Sequence, residues 1–463
     1  MEQKFKALKG HRRLMRQKRV HIVTMGCQMN VYDSEQVLRL LAPLNYRPTS
    51  RMEKADLVLL NTCSIREKAE QKVYSLLGRL SRLKRRRPGL IVGVGGCVAQ
   101  QEGKRLIKRA PCVDIVFGTF ALARLPALVQ AVSERRGPVV DTASRGASEP
   151  LCVKEPILGT GRPTAFVTIM QGCDNFCSYC VVPYVRGREI SRVPDDILDE
   201  IRLLVTHGVR EVTLIGQNVN AYGKKNGAAC DFAALLERVN RVEGLCRIRF
   251  TTSHPRDLSD RLILAFGALE KLAPHIHLPV QSGSNRVLKR MNRGYTRRFY
   301  LDRVAALRKV RPDMAITSDI IVGFPGEQEV DFQETVDLVR EVGFDGLFMF
   351  KYSDRPQVPA AGFTNKVPEA VRTERLSFLL DVQNAFTLRK NKALLGTTHD
   401  VLVEGFSRKS HLQLTGRTPC NRVVNISNCG GTLRAGRIFP VRIVDAYPHS
   451  LLGNLVEENN DQL

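Results

Sequence analysis

Short apolar runs alternate with amphipathic stretches along most of the chain, and the texture of that alternation changes twice. Near the start, Val20-His-Ile-Val-Thr-Met25 reads as a strand running into Gly26-Cys27, and a helical pattern covers Ser34 to Leu44. The scheme repeats. Asp56-Leu-Val-Leu-Leu60 runs into Asn61-Thr62-Cys63 ahead of a helix from Arg66 to Lys84, and Leu90-Ile-Val-Gly-Val94 runs into Gly95-Gly96-Cys97 ahead of another helical stretch. Strands alternating with helices predict a parallel, doubly wound sheet in which every strand followed by a helix ends on the same edge. Cys27, Cys63 and Cys97 are therefore expected to converge. One such cysteine could be mere packing, since free Cys behaves as a small hydrophobe, but three at equivalent places point to a metal site.

From about Ser133 to Arg162 the chain carries Gly, Pro, Ser and Arg with little periodicity and reads as a linker. Beyond it, strand and helix patterns alternate six times. Strands are expected at Ala165–Met170, Glu211–Ile215, Arg247–Thr251, His275–Val280, Ala315–Val322 and Phe344–Tyr352. Helices are expected between them at Pro194–Thr206, Phe232–Val242, Leu258–Leu269, Arg297–Val310 and Gln328–Glu341. This predicts a partial (β/α)6 barrel with its chemistry on the loops that follow the strands. A long helical pattern from Pro368 to Leu395 leads into short strands broken by Gly and Pro, at His399–Glu404, Leu412–Thr415, Asn421–Ile426 and Ile438–Val444. They suggest a small OB-like β-barrel. Arg408, Lys409, Arg417, Arg422, Arg434, Arg437 and Arg442 outnumber its acids, so it reads as a nucleic-acid grip, with a structural or dimerising module as the alternative.

Chemistry concentrates in Gly172-Cys173-Asp174-Asn175-Phe176-Cys177-Ser178-Tyr179-Cys180, directly behind the first barrel strand. Three thiols at C-x3-C-x2-C spacing can close on an iron–sulfur cube but leave one iron open for another ligand. A zinc ribbon needs a second C-x2-C, and the chain has none; a thioredoxin-like pair leaves Cys173 unexplained.

Composition narrows the setting. The formal charge of +25 over 463 residues points to a polyanionic partner such as nucleic acid, a generally basic surface being the bland reading. Twelve cysteines are too sparse for a disulfide scaffold, no apolar run approaches the ~18 residues of a membrane span, and no secretory signal opens the chain. A cytoplasmic protein is expected, with Met1 to Val20 as a basic tail and the sequon at Asn425 unused. Cys112, Cys152, Cys230, Cys246, Cys420 and Cys429 match no ligand position.

The cysteine loop, with Tyr179 just before its last cysteine, resembles the radical S-adenosylmethionine (SAM) superfamily. A three-cysteine N-terminal domain, such a barrel and a basic β-barrel, in that order, resemble the methylthiotransferase family over residues 19 to 456. Met25-Gly-Cys-Gln-Met-Asn30, Tyr32-Asp-Ser-Glu35, Asn61-Thr-Cys-Ser-Ile65, Val181-Val-Pro-Tyr-Val-Arg-Gly-Arg-Glu189, Gly216-Gln-Asn-Val-Asn220 and Gly416–Asn425 resemble its MiaB-type tRNA branch. Gln28 and Met29 fit neither the branch acting on a ribosomal-protein aspartate nor that acting on threonylcarbamoyladenosine. The resemblance implies a domain at 19–134 with an auxiliary cluster, a radical-SAM domain at 159–391 and a TRAM domain at 394–457. It implies two 4Fe-4S clusters, one on Cys173, Cys177 and Cys180 and one on Cys27, Cys63 and Cys97, with SAM as cosubstrate. The implied reaction adds CH3-S to C2 of N6-isopentenyladenosine beside the anticodon of tRNA. Its implied partners are tRNA and an electron donor such as flavodoxin or ferredoxin, with no membrane and a monomeric chain. The competing readings are methylthiotransferases for the other two substrates and a non-enzymatic iron–sulfur RNA-binding protein.

Other site candidates are Gln217 and Gln281 on the rim and Tyr179, as SAM contacts. Arg186 and Arg188 are candidates for the SAM carboxylate or a tRNA phosphate. Lys84-Arg-Arg-Arg87 reads as a solvated helix end. The superfamily's G-x-I-x-G-x-x-E element is approximated at Asp319–Glu327. Arg417 and Arg422 flank a Thr-Pro-Cys-Asn turn resembling the family's RNA-facing motif, so the tail is expected to bind tRNA and to be removable without harm to either cluster.

Overall fold

The computed structural model describes residues 16–63, 67–134, 137–143, 161–225, 230–407, 413–427 and 434–456. Most of the expected linker, together with Ser64, Ile65, Cys152, Arg408, Lys409, Leu412 and Cys429, lies outside them. The chain divides into two compact units at Leu158 and Gly159.

The first unit is a doubly wound sheet of parallel strands β1 (Lys18–Thr24), β2 (Tyr46–Pro48), β3 (Leu57–Thr62), β4 (Ile91–Gly96), β5 (Ile115–Phe117) and β6 (Val139–Asp141), in the order β2-β1-β3-β4-β5-β6. Helices α1 (Gln28–Leu41), α2 (Glu67–Arg86), α3 (Cys97–Glu102), α4 (Lys104–Arg109) and α5 (Leu125–Ser133) cover it. Two apolar clusters fill the unit, one around Val58, Leu60, Val73 and Leu77, the other around Val37, Leu41, Leu57 and Leu59. Consecutive β3 residues thus serve opposite faces, as a central strand covered on both sides requires. The first helix begins at Gln28, six residues before the expected Ser34. Its opening turns bury the polar Asn30 and Ser34, so no apolar period announces them.

The second unit opens with a partial barrel. Strands β7 (Thr164–Thr168), β10 (Glu211–Ile215) and β11 (Arg247–Phe250) form one parallel sheet, and β12 (His275–His277), β13 (Ala315–Val322) and β14 (Gly346–Lys351) another, bridged by Ile248 and Leu272. A short antiparallel pair, β8 (Met170–Gln171) and β9 (Ile190–Ser191), branches off after β7. The helices are α6 (Val182–Arg186), α7 (Pro194–Thr206), α8 (Phe232–Asn240), α9 (Asp260–Ala268), α10 (Asn285–Arg290), α11 (Arg297–Val310), α12 (Glu329–Val342) and α13 (Glu369–Lys392). Glu211–Ile215, Ala315–Val322, Pro194–Thr206 and Arg297–Val310 fall where the periodicity places them.

After α13 a closed barrel follows, made of β15 (Thr398–Phe406), β16 (Leu414–Arg417), β17 (Val423–Ser427), β18 (Ile438–Ala446) and β19 (Leu451–Leu455), in the order β15-β16-β17-β19-β18. Sequence reading misses β19, and also misses β2, β5, β6 and α10. The three β-strands among these last are each three residues long, too short to show a period.

The turn joining β16 to β17 does not face outward as expected. It docks on the barrel at the N-terminal ends of the strands. Glu211, Arg247 and Arg249, all at most 5 % exposed, form a charged knot there: Glu211 pairs with Arg247 Nη1 at 3.3 Å and with Arg249 Nε at 3.0 Å. Arg249 donates to the carbonyls of Thr418 and Pro419, both at 2.8 Å, and Arg247 to that of Arg417 at 3.1 Å. Burial pushes the Arg249 guanidinium down and Glu211 opposes the shift. Arg422 pairs with Asp345 at 2.7 Å, and Lys390 reaches the same carboxylate at 3.0 Å. Arg417 pairs with Glu404 at 3.1 Å. Both arginines expected to face RNA thus have carboxylate partners within the protein, Arg422 largely covered and Arg417 still about one-third exposed.

Candidate active site

In the first unit, the register aligns Thr24 with Asn61 and Thr62 with Gly96, so Cys27, Cys63 and Cys97 follow the ends of three adjacent strands. The ends are drawn tightly together. A Cβ on Gly26 (φ +123°) would lie 2.4 Å from Cys63 Cβ, and one on Gly96 (φ +90°) 2.4 Å from the Thr62 carbonyl. Buried amides lash the edge: Asn30 Nδ2 donates to Asn61 Oδ1 at 2.9 Å and to the Thr62 carbonyl at 3.1 Å, and Asn61 Nδ2 donates back to the Asn30 carbonyl at 2.8 Å and to Ser34 Oγ at 2.9 Å. Cys27 Sγ donates to Asn30 Oδ1 at 3.4 Å. The polar residues of the Met25–Glu35 and Asn61–Cys63 motifs therefore hold the cysteines in place.

In the second unit, the cysteine loop leaves β8 and returns at β9. Its base is closed by the pairing of Met170 with Ser191 and Gln171 with Ile190, and by Cys173 N–H donating to the Gly187 carbonyl at 3.2 Å. Gly172 (φ +81°) is required at the neck, since a Cβ would sit 2.0 Å from the Arg188 carbonyl oxygen. Gln217 accepts from Gly172 N–H at 2.5 Å, so it holds the loop. The far side rests on the turn after α10: Ser178 N–H donates to the Met291 carbonyl at 3.0 Å, Ser178 Oγ to that of Arg290 at 2.8 Å, and Asn292 Nδ2 to that of Phe176 at 3.0 Å.

The thiols interact electrically. Burial pushes Cys173 up to about 11 and Cys180 up to about 12, and in both the neighbouring Cys177 adds to the rise. Among the described residues no three His, Cys, Asp or Glu side chains are gathered tightly enough to hold a metal ion as they stand. The donor set nevertheless fits an iron–sulfur cluster: free thiols, mutually repelling as thiolates, on one part-buried loop, need cationic iron to stay ionised.

The rim carries polar groups left over by the fold. Both side-chain atoms of Asn220, Ser253 Oγ and His254 Nε2 are buried without a hydrogen-bond partner. Asn220 and Ser253 are each only 4 % exposed. Burial, helped by Arg293 and Arg256, pushes His254 down to about 2, so its ring is neutral. Glu189 is pushed up to about 7 by burial and by Asp257. Buried groups in this condition are the kind a polar cosubstrate satisfies.

Of the remaining candidates, Tyr179 is packed inward, its hydroxyl 3.4 Å from Arg293 Nη1. Gln281 is buried with φ +75°, its N–H bonded to the Asp319 carbonyl at 2.8 Å. Arg188 is exposed, pairs with Asp174 at 2.7 Å and lies over Phe176, whereas Arg186 is buried. Glu327 accepts from Gly323 N–H and pairs with Arg375, both at 2.8 Å, which closes its own turn. Lys84 pairs with Asp114 and Arg87 reaches the Glu53 carbonyl, while Arg85 and Arg86 between them are exposed at the helix end. Sequence reading passes over Asn30, Asn61, His254 and Arg293; only the polar composition of their motifs hints at them.

Comparison with known proteins agrees with this anatomy. Residues 19–118 match the Uncharacterized protein family UPF0004, residues 167–339 the Radical SAM superfamily and residues 392–456 the TRAM domain. The chain is similar to the tRNA-2-methylthio-N(6)-dimethylallyladenosine synthase of Desulfosudis oleivorans, 53 % identical over 94 % of this chain and 96 % of that one. It is similar to that of Syntrophus aciditrophicus, 50 % identical over 95 % of each. Among solved structures, the radical S-adenosylmethionine methyltransferase TsrM from Kitasatospora setae shares the fold, with a TM-score of 0.56 and 16 % identity over 74 % of this chain and 75 % of that one. Among the described residues no helix is long and apolar enough to cross a membrane. With identity above one half across nearly its whole length, the chain belongs to the tRNA-2-methylthio-N(6)-dimethylallyladenosine synthase family.

Proposed function

We propose that the protein adds a methylthio group to C2 of N6-isopentenyladenosine in tRNA, in a SAM-dependent reaction. The observation that carries this reading is the pairing of two cysteine trios, one on the sheet edge of the first unit and one on the barrel rim, in a chain of this family. C2 of adenine is unactivated, so an ordinary base cannot prepare it for attack. A 4Fe-4S cluster on Cys173, Cys177 and Cys180 supplies one-electron chemistry with SAM, and a second on Cys27, Cys63 and Cys97 supplies sulfur.

The chain's own residues do the rest. Gln217, Ser178 and the Arg290–Arg293 turn hold the cysteine loop in a fixed shape. Asn220, Ser253 and neutral His254 offer polar atoms to SAM without contributing charge. Tyr179 and Gln281 frame the same rim. The Asn30–Asn61–Ser34 network keeps the other three thiols together. We assign domains at 19–134, 159–391 and 394–457, a cytoplasmic monomer, and a low-potential protein reductant of the flavodoxin or ferredoxin type. RNA contact by the TRAM domain is assigned to its exposed basic residues Arg434, Arg437 and Arg442 together with the part-exposed Arg417, while Arg422 also anchors the turn to Asp345.

The deciding experiment is mass spectrometry of tRNA digests from a strain lacking the protein. Unmethylthiolated isopentenyladenosine should accumulate there and disappear on complementation. An unchanged nucleoside profile defeats the reading.

A further inference from the structure

Arg293 is a buried cation without a carboxylate. It is 4 % exposed, and no carboxylate among the described residues lies within ion-pair distance of it. The other deeply buried arginines whose partners are resolved have one: Arg192 pairs with Glu200 at 2.7 Å, Arg247 and Arg249 with Glu211, and Arg375 with Glu327. A guanidinium taken out of water without a counter-charge is costly, so an anion is owed to it. Its neighbours indicate where that anion belongs. Nη2 donates to the Pro279 carbonyl at 2.6 Å and Nε to Tyr295 Oη at 3.1 Å, which fixes the fork. Nη1 then points at Cys177 Sγ and Tyr179 Oη, 3.4 Å from each. The backbone that carries Arg293 is the turn on which the cysteine loop rests, so fork and thiol keep their register.

We propose that Arg293 is a positioning residue for the radical-SAM cluster: its Nη1–H bond to the Cys177 sulfur supplies the missing counter-charge and raises the reduction potential of the cluster bound there. Hydrogen bonds and positive charge at a ligating sulfur favour the state with the extra electron. The inference rests on the reading that Cys173, Cys177 and Cys180 hold that cluster.

The test uses the full chain with Cys27, Cys63 and Cys97 changed to Ala, reconstituted anaerobically, so that one cluster is observed. Each cluster takes one electron from dithionite, and reduction is followed by electron paramagnetic resonance against solution potential, without SAM. Arg293→Gln should retain iron yet show about tenfold less reduced cluster at a fixed potential, about 59 mV for a one-electron couple. Arg293→Lys keeps a cation but loses the fork, and should show a fall of at least threefold. If Arg293→Gln fails to take up iron, the lysine variant decides. A potential equal to the parent's in the variant that carries iron overturns the proposal. Absence of iron from the parent itself would instead defeat the cluster assignment.

Discussion

The two ends of the barrel in the second unit both bury polar and charged side chains, yet they treat them differently. At the N-terminal ends of the strands, Glu211, Arg247, Arg249, Asp345, Lys390 and Arg422 find charged partners in one another and carbonyls in the backbone of the β16–β17 turn; His275 Nδ1 and Arg249 Nε lack a hydrogen bond there, the latter still lying 3.0 Å from Glu211. At the C-terminal ends, Asn220, Ser253 and His254 keep buried atoms with no partner, and Glu189 is held short of full ionisation at neutral pH. A buried polar group left unmatched costs stability, so its persistence needs a reason. One end is finished by the protein; the other is completed by what it binds.

Removing residues 394–463 should have the largest effect on this contrast. The cut strips the turn from Arg247 and Arg249, and leaves Asp345 without Arg422, exposing a knot built to be dry. Cooperative thermal unfolding of the barrel followed by circular dichroism should weaken or vanish; an unchanged transition would mean that the docked turn contributes nothing. Glu211→Ala comes next. It leaves two buried guanidinium groups uncompensated, with an expected loss of about 3–5 kcal/mol in urea unfolding. Asp345→Asn, which releases Arg422 and Lys390, should cost about 1–3 kcal/mol by the same measurement.

The rim should respond in the opposite sense. Glu189 has its folded pKa raised from 4.5 to about 7. Its neutral form is the one the fold prefers, so its contribution is complete below about pH 4.5 and is lost as pH rises through about 7. Glu189→Gln should therefore unfold at a higher temperature than the parent at pH 8 and show little difference at pH 4.5. Smallest in stability terms is Asn220→Leu, expected to shift unfolding by no more than about 0.5 kcal/mol in the ligand-free protein. It should weaken SAM binding by about tenfold, close to 1.4 kcal/mol, in equilibrium dialysis. A large stability loss from Asn220→Leu, or none from Glu211→Ala, would erase the distinction between the ends.

Much of this architecture was legible in the sequence, because strand-then-cysteine is a local signal. The three repeats ending at Cys27, Cys63 and Cys97, and the C-x3-C-x2-C loop after the first barrel strand, needed only the parallel topology to bring them into place. The docked turn was not legible. Arg417 and Arg422 sit among residues that outnumber local acids, and two of the groups that engage this turn, Asp345 and Arg249, lie far back along the chain. Charge counted within a segment cannot reveal pairing across a fold. Gln217 and Arg293 were opaque for a related reason: a rim glutamine reads equally well as a ligand contact or a loop clamp, and only the contact with Gly172 N–H selects the clamp.

The docked turn also bears on how the parts of this protein can be exchanged. A splice at the end of α13 looks like a natural seam, since a long helix separates two recognisable barrels. The turn at Arg417–Arg422 crosses that seam, so a chimaera carrying a foreign β-barrel would inherit Glu211, Arg247, Arg249 and Asp345 as a lock without its key. Grafts should succeed when the turn travels with its acceptors, which makes the two barrels one unit of inheritance despite their separate cores.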